Sequence, residues 1–194
     1  VFSITGNSGE NVFNLLYSKT IDIYNWRNVI DEKKKLIDFV KYYKKYRSGL
    51  NHKLVICFKL LNIKEVTKIR KYLKKINYIE FIDPSKNNDW DFGSYKRVSK
   101  VFYDKDILFL NSHSYPICND WLKKLFIYKK RGTVIAPTAS YESLIDSIKL
   151  KKKFHKIFRH IIRKYIFTKN FNKFPNPHIR TSSFLINSKI FLNF

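Results

Sequence analysis

The chain has 194 residues, 44% of them hydrophobic, and a formal net charge of +24. This composition excludes intrinsic disorder and suffices for one domain with a sizeable core. No apolar run approaches the ~20 residues of a membrane-spanning helix, and the first residues lack the basic-then-apolar order of a signal peptide. Because the sequence has no Met and ends in an apolar segment, we expect a fragment of a longer chain.

The positive charge has two explanations. It would attract an anionic partner such as nucleic acid, a membrane surface or phosphates. Alternatively it reflects an AT-rich genome, because Lys (31) far outnumbers Arg (8) and Ile, Asn, Phe and Tyr are abundant. The scarcity of Arg disfavours nucleic acid, whose recognition uses the planar guanidinium. Cys57 and Cys118 are the only cysteines and suggest neither a disulfide framework nor a zinc site, which favours a reducing compartment.

The first half of the chain predicts strands and helices in alternation. A glycine-containing loop at 6–11 follows the first predicted strand and either approaches a phosphate or forms an ordinary turn. Val12, Leu15 and Leu16 predict the apolar face of a helix after it. The elements predicted by apolar periodicity are strands over 1–5, 53–58 and 78–82 and helices over 32–47 and 63–76.

The loop KNNDWDFGSYKRV comes next. Asp89 and Asp91 flank Trp90, and a large aromatic beside two carboxylates after a strand suits the rim of a ligand site. The alternative is that Asp91 caps a helix that starts near Ser94.

A short apolar run then predicts a strand buried on both faces, over 106–110. Ligands of open α/β sheets lie outside the carboxyl ends of the strands, so Asn111, Ser112 and His113 become candidate site residues. The alternative is a polar turn without function. A helix capped by Asn119 or Asp120 and a fifth strand over 133–136 (TVIA) are expected to follow.

Residues 147–167 predict a strongly basic amphipathic helix. Its apolar stripe consists of Phe154, Ile157, Phe158, Ile161, Ile162, Tyr165 and Ile166, and Lys and Arg occupy most other positions. The stripe either lies on an anionic membrane surface or packs on the sheet, and we favour packing as the commoner arrangement. With a last strand over 183–187, the pattern predicts an α/β fold whose mostly parallel central sheet is flanked by helices.

Three segments together resemble a known family. NNDWDFGSYK, DILFLNSHSY with the following NDWL, and FPNPHIRTSSFLI are similar to bacterial glycosyltransferases of the nucleotide-diphospho-sugar (GT-A) type, akin to rhamnan-synthesis proteins of cell-surface polysaccharides. The resemblance spans residues 1–190 and implies a single glycosyltransferase-like domain over 1–194, with a Rossmann-like three-layer sandwich. It further implies a sugar-nucleotide donor, a glycan or lipid-linked acceptor, and a cytoplasmic location, peripheral at the inner membrane face.

In that family a strand like 107–110 leads into an Asp-x-Asp pair that binds a divalent metal. The matching positions here are Asn111, Ser112 and His113, which depart from that pattern. Mg²⁺ and Mn²⁺ prefer oxygen ligands, so Asn111 and His113 would form a weak metal site, or lysines would replace the metal.

The resemblance also implies roles for other residues. Glu142, after the fifth predicted strand, is the candidate general base, unless it only begins a helix. His178 would be a further ligand or phosphate contact, and Arg180 a phosphate fork. The residues predicted to bind the sugar nucleotide are Asp89, Trp90, Asp91, Ser94, Asn111, Ser112, His178 and Arg180.

Two further hypotheses about the function stay open. The basic helix over 147–167 would suit a binding module for anionic lipid or nucleic acid. The missing acidic pair would suit a glycosyltransferase-like domain without activity.

Overall fold

The computed structural model describes residues 12–18, 28–86, 89–143, 157–180 and 182–194. They group into two compact units. The first unit comprises residues 1–137 and 181–194, and the second comprises residues 138–180. That the whole chain forms one domain stays a prediction.

The helices and strands of each unit follow in chain order. The first unit begins with β1 (Val12–Ser18), α1 (Asn28–Lys45), β2 (Lys53–Lys59), α2 (Ile63–Leu73), β3 (Ile79–Ile82), α3 (Trp90–Val101), β4 (Asp106–Leu110) and α4 (Trp121–Phe126). The second unit contains β5 (Ala139–Ser140), α5 (Ile157–Asn170) and β6 (His178–Ile179). The first unit ends with β7 (Ser183–Asn187) and α6 (Ser188–Leu192).

The sheet of the first unit is mixed. Its strand order is β3-β2-β1-β4-β7, with parallel pairing from β3 through β4 and antiparallel pairing between β4 and β7. The prediction of an α/β fold is confirmed, and β4 and β7 form the one antiparallel pair among the described strands of this sheet. The GT-A-like three-layer sandwich stays a prediction.

Apolar side chains cover both faces of this sheet. In β4, Leu108 and Leu110 pack into one core with residues of α1, α2 and α4, whereas Ile107 and Phe109 pack into a second core with residues of α3 and α6. Successive side chains of a strand point to opposite faces. A strand that is covered on both faces therefore has the continuous apolar sequence from which β4 was predicted.

The helix predicted over Val12, Leu15 and Leu16 is wrong, because these residues lie in β1, which pairs with β2 along its whole length. Short apolar runs fit helical and strand spacing equally well, and only the partner strands decide. The predicted strand over 1–5 and the glycine-containing loop lie outside the described residues.

The predicted strand over 133–136 is reduced to a single bridge. Ile135 exchanges backbone hydrogen bonds with Leu185 of β7, at 2.9 and 2.7 Å. Pro137 follows within two residues and has no N–H with which to extend a ladder.

Helix α5 begins at the described end of the basic amphipathic segment. The described side chains of its stripe, Ile161, Ile162, Tyr165 and Ile166, are 46–73% exposed. Within the second unit these side chains are therefore uncovered, and packing of the stripe on the sheet stays a prediction. Periodicity identifies an apolar face but does not say what covers it.

Candidate functional site

The order of the parallel strands creates a switch point between β1 and β4. From β1 the chain moves to β2 and β3 on one side and then returns to β4 on the other side. The connections therefore leave the carboxyl ends of β1 and β4 in opposite directions, and ligands of open α/β sheets bind in the crevice that results. Asn111 directly follows Leu110, which is paired with Leu15 of β1.

The segment after β4 is a turn organised by Asn111. Its backbone N–H donates to the carbonyl of Ser182 at 3.0 Å. Its Oδ1 accepts hydrogen bonds from the His113 N–H at 3.1 Å and the Ser114 hydroxyl at 3.0 Å. This is the local side-chain-to-backbone bonding typical of Asn in turns. The side chain of Ser112 is half-buried and that of His113 is exposed.

The atoms of this turn provide at most a weak site for a divalent cation. Asn111 Oδ1 already accepts a hydrogen bond from the His113 N–H, and the Ser114 hydroxyl, whose single proton is shared with the Ser182 carbonyl, lies 3.0 Å from it. The other predicted ligands, His113 and His178, are imidazoles, whereas Mg²⁺ and Mn²⁺ prefer oxygen ligands. Among the described residues, no group of three or more His, Cys, Asp or Glu side chains could hold a metal ion. Dependence on Mn²⁺ or Mg²⁺ stays an untested prediction.

A charged network lies at the carboxyl ends of β2 and β3. Lys59, the last residue of β2, is 1% exposed and forms an ion pair with Asp89. Asp83 follows β3 and accepts hydrogen bonds from Arg97 Nε at 2.6 Å and Nη2 at 2.8 Å. The same guanidinium reaches Asp89, at 2.6 Å from Nη1 to Oδ2. The Ser94 hydroxyl completes the network by donating to Asp83.

Hydrogen bonding sets the charge states in this network. Burial would raise the pKa of Asp83, but hydrogen bonds from Arg97 and Ser94 outweigh burial and hold it below its ordinary value. A hydrogen bond from Arg97, followed by one from Lys59, holds the pKa of Asp89 well below its ordinary value. Hydrogen bonds to Asp89 and Asp83 raise the pKa of Arg97. The two carboxylates are therefore ionised and engaged with protein cations.

Two of the residues predicted to bind the sugar nucleotide, Asp89 and Ser94, belong to this network. Ser94 is fully buried and donates a hydrogen bond to Asp83, and its contact with a nucleotide stays a prediction. Helix α3 starts at Trp90, not near Ser94, and Asp91 lies in its first turn. Asp89 holds the cap position but makes no capping hydrogen bond, because its carboxylate binds Lys59 and Arg97. The side chain of Trp90, predicted to stack on the nucleotide, lies outside the described residues.

The other predicted site residues belong to the second unit. Its two strands pair Ser140 with His178. Arg180 Nη2 and Glu142 Oε2 lie 3.3 Å apart, and both side chains are exposed. His178 Nδ1 lies 2.8 Å from the carbonyl of Asn176, which can only accept, so Nδ1 donates the hydrogen bond. The structure thus pairs Glu142, the candidate base, with Arg180, the candidate phosphate-binding residue.

Three residues of this network, Lys59, Asp83 and Arg97, are not among the site residues predicted from the sequence. One signal was present, namely a lysine that ends the apolar run of β2. A buried lysine requires a partner, and Asp83 and Asp89 follow the next strand at the same edge of the sheet.

A half-open cavity of about 300 Å³ lies at the opposite, amino edge of β2 and β3. Tyr43 and His52 line it and form a hydrogen bond of 2.8 Å between the Tyr43 hydroxyl and His52 Nε2. His52 Nδ1 donates to the carbonyl of Leu50 at 2.9 Å. Burial lowers the pKa of His52 and raises that of Tyr43 to about 12.

Comparison of the chain with protein-family models and with curated protein sequences gave no match. The likeness to GT-A glycosyltransferases therefore rests on the three quoted segments alone.

Proposed function

We propose that this chain is a glycosyltransferase that moves a sugar from a nucleoside-diphosphate donor to a cell-surface glycan or lipid-linked acceptor, on a sheet of the GT-A type. The observation that carries the proposal is the switch point between β1 and β4, with the Asn111 turn at its edge. A crevice at this position is where open α/β sheets hold nucleotides. The three segments that resemble the family add support.

Glycosyl transfer requires that the leaving diphosphate be neutralised. The Asn111 turn provides at most a weak metal site, so protein cations would take over this task. Within the second unit Arg180 is the candidate, because its exposed ion pair with Glu142 contributes only about 0.2–1 kcal/mol. A diphosphate can therefore displace Glu142 from the guanidinium at small cost and accept two parallel hydrogen bonds from it.

The second requirement is a base for the acceptor hydroxyl. In the proposed step Glu142 takes the hydroxyl proton and the acceptor oxygen forms a bond to the anomeric carbon. The bond between that carbon and the diphosphate oxygen breaks, and the nucleoside diphosphate leaves with the electron pair. Displacement of Glu142 from Arg180 by the diphosphate would free the carboxylate for this role.

The test is release of nucleoside diphosphate from a panel of uridine, guanosine, thymidine and adenosine diphospho-sugars. We expect turnover with one donor. Glu142→Gln should lower kcat at least about 100-fold, the usual contribution of a general base, and leave donor binding intact. Glu65→Gln is the matched control, because Gln can maintain the capping box that Glu65 forms with Asn62.

Two results would contradict the proposal. Full activity of the Glu142→Gln variant would remove Glu142 from the mechanism. Tight binding of a sugar nucleotide without turnover, in the presence of acceptor extracts, would support the alternative of a glycosyltransferase-like domain without activity.

A further inference from the structure

Helix α5 presents an apolar band that is exposed in the part of its unit that the structure describes. Ile161 is 60% exposed, Ile162 46%, Tyr165 73% and Ile166 46%. Their spacing of one, three and four residues places them on one side of a helix. Other large apolar side chains are exposed in the same unit, namely Tyr141, Phe171 and Phe174.

The same unit is strongly cationic. Residues 138–180 contain eleven Lys and Arg but only two acidic residues, Glu142 and Asp146. Lys164 and Lys169 on α5 and Lys173 after it are exposed. Glu142 forms an ion pair with Arg180. The exposed apolar band is therefore accompanied by positive charge with little to oppose it.

We propose that α5 lies in the plane of an anionic membrane surface, with Ile161, Ile162, Tyr165 and Ile166 inserted at the level of the headgroups. An apolar band beside lysines is the pattern of interfacial helices, whose binding combines burial of apolar area with attraction to anionic lipids. Among the described residues no helix is long and apolar enough to cross a bilayer. Nucleic acid would account for the lysines but would leave the isoleucines in water.

The inference does not rest on glycosyl transfer, and its test needs no substrate. The 194-residue chain is sedimented with vesicles of phosphatidylcholine alone or with about one third phosphatidylglycerol. We expect binding to the anionic vesicles only, weakened by salt. Ile161→Gln with Ile166→Gln should reduce binding at least about tenfold, because each isoleucine loses a large share of its transfer free energy. Lys164→Gln should reduce it about fivefold, the equivalent of about 1 kcal/mol for one lysine near the surface.

Matched control variants distinguish binding through α5 from nonspecific electrostatic and hydrophobic adsorption. Ile63 and Lys68 on α2 are also exposed, and Ile63→Gln with Lys68→Gln should leave vesicle binding unchanged. Gln is a good helix former, so circular dichroism should show the helix retained in every variant. The inference is overturned if the chain does not bind anionic vesicles. It is also overturned if the α5 isoleucine variant binds them as tightly as the wild type. It is equally overturned if duplex DNA or RNA competes fully for the protein and the isoleucine substitutions leave nucleic-acid binding unchanged.

Discussion

The Arg97 guanidinium binds two carboxylates, that of Asp83 after β3 and that of Asp89 at the N-cap of α3. It donates twice to Asp83, whose side chain is inaccessible to solvent, and also donates to Asp89. A buried carboxylate is stable only while hydrogen bonds compensate for its lost hydration. Arg97 is therefore a structural cation of the carboxyl edge.

We predict that Arg97→Ala lowers the free energy of unfolding by about 3 kcal/mol, because it leaves a buried carboxylate with fewer partners. Urea denaturation measures this loss. Arg70→Ala is the control, since the Arg70 guanidinium donates two hydrogen bonds to the Glu80 carboxylate at the surface. Its loss should be much smaller, and equal losses would show that burial of Asp83 does not matter.

His52 should make stability depend on pH. Burial lowers its pKa in the folded chain below the ordinary value of 6.5, so the unfolded chain takes up the proton first as the pH falls. The contribution is complete above pH 6.5 and is lost progressively below it. Urea unfolding at pH 7.5 and 5.5 should show a larger loss for the wild type than for His52→Gln. The same loss in both chains would contradict this assignment.

At the scale of elements, helix α3 is anchored through its first turn. A Cβ on Gly93 would overlap the carboxylate of Asp89, the residue that binds Lys59 and Arg97. Any larger residue at position 93 would therefore have to move the Asp89 side chain.

We predict that Gly93→Ala destabilises the protein by about 1–2 kcal/mol, although Ala is the better helix former. The added methyl group displaces Asp89 from its two cations. In the Asp89→Ala background the carboxylate that the methyl group would contact is absent. Gly93→Ala should then raise the free energy of unfolding by up to about 1 kcal/mol. A double-mutant cycle by thermal or urea unfolding measures the difference. Destabilisation in both backgrounds would place the clash elsewhere.

Elements with an unambiguous pattern were predictable from the sequence. β2 and β4 are apolar runs of strand length, and α2 has a clean apolar face with a capping box at Asn62 and Glu65. β1 was not predictable, because its short apolar run fits both helical and strand spacing. Only its pairing with β2 and β4 shows that it is a strand.

The candidate site was predictable only in outline. The position of Asn111 after a buried strand follows from the apolar run, and the structure agrees. The network around Arg97 was not predictable, because Lys59 and Asp89 are 30 residues apart and Arg97 and Asp83 are 14 apart. Contacts at such separations depend on strand order, which local patterns do not encode.

At the scale of the whole molecule, the two units carry separate proposed roles. The switch point between β1 and β4 makes the carboxyl edge of the first unit the proposed donor site. The basic, exposed α5 makes the second unit the proposed membrane contact. Sugar transfer and vesicle binding can each fail without affecting the other.

The most direct measurement is a thermal-shift screen of nucleoside diphosphates and their sugars in the presence of EDTA, on the wild type and Asn111→Asp. Asp retains the oxygen that accepts hydrogen bonds from His113 and Ser114, so the ligand-free Tm should hardly change. At 100 times its Kd one nucleotide should add about 2.7 kcal/mol, or roughly 5–10 °C in Tm. Asn111→Asp should diminish that shift, because its charge repels the diphosphate. No shift with any nucleotide, or a shift that is the same in both proteins, would contradict a donor site at this edge.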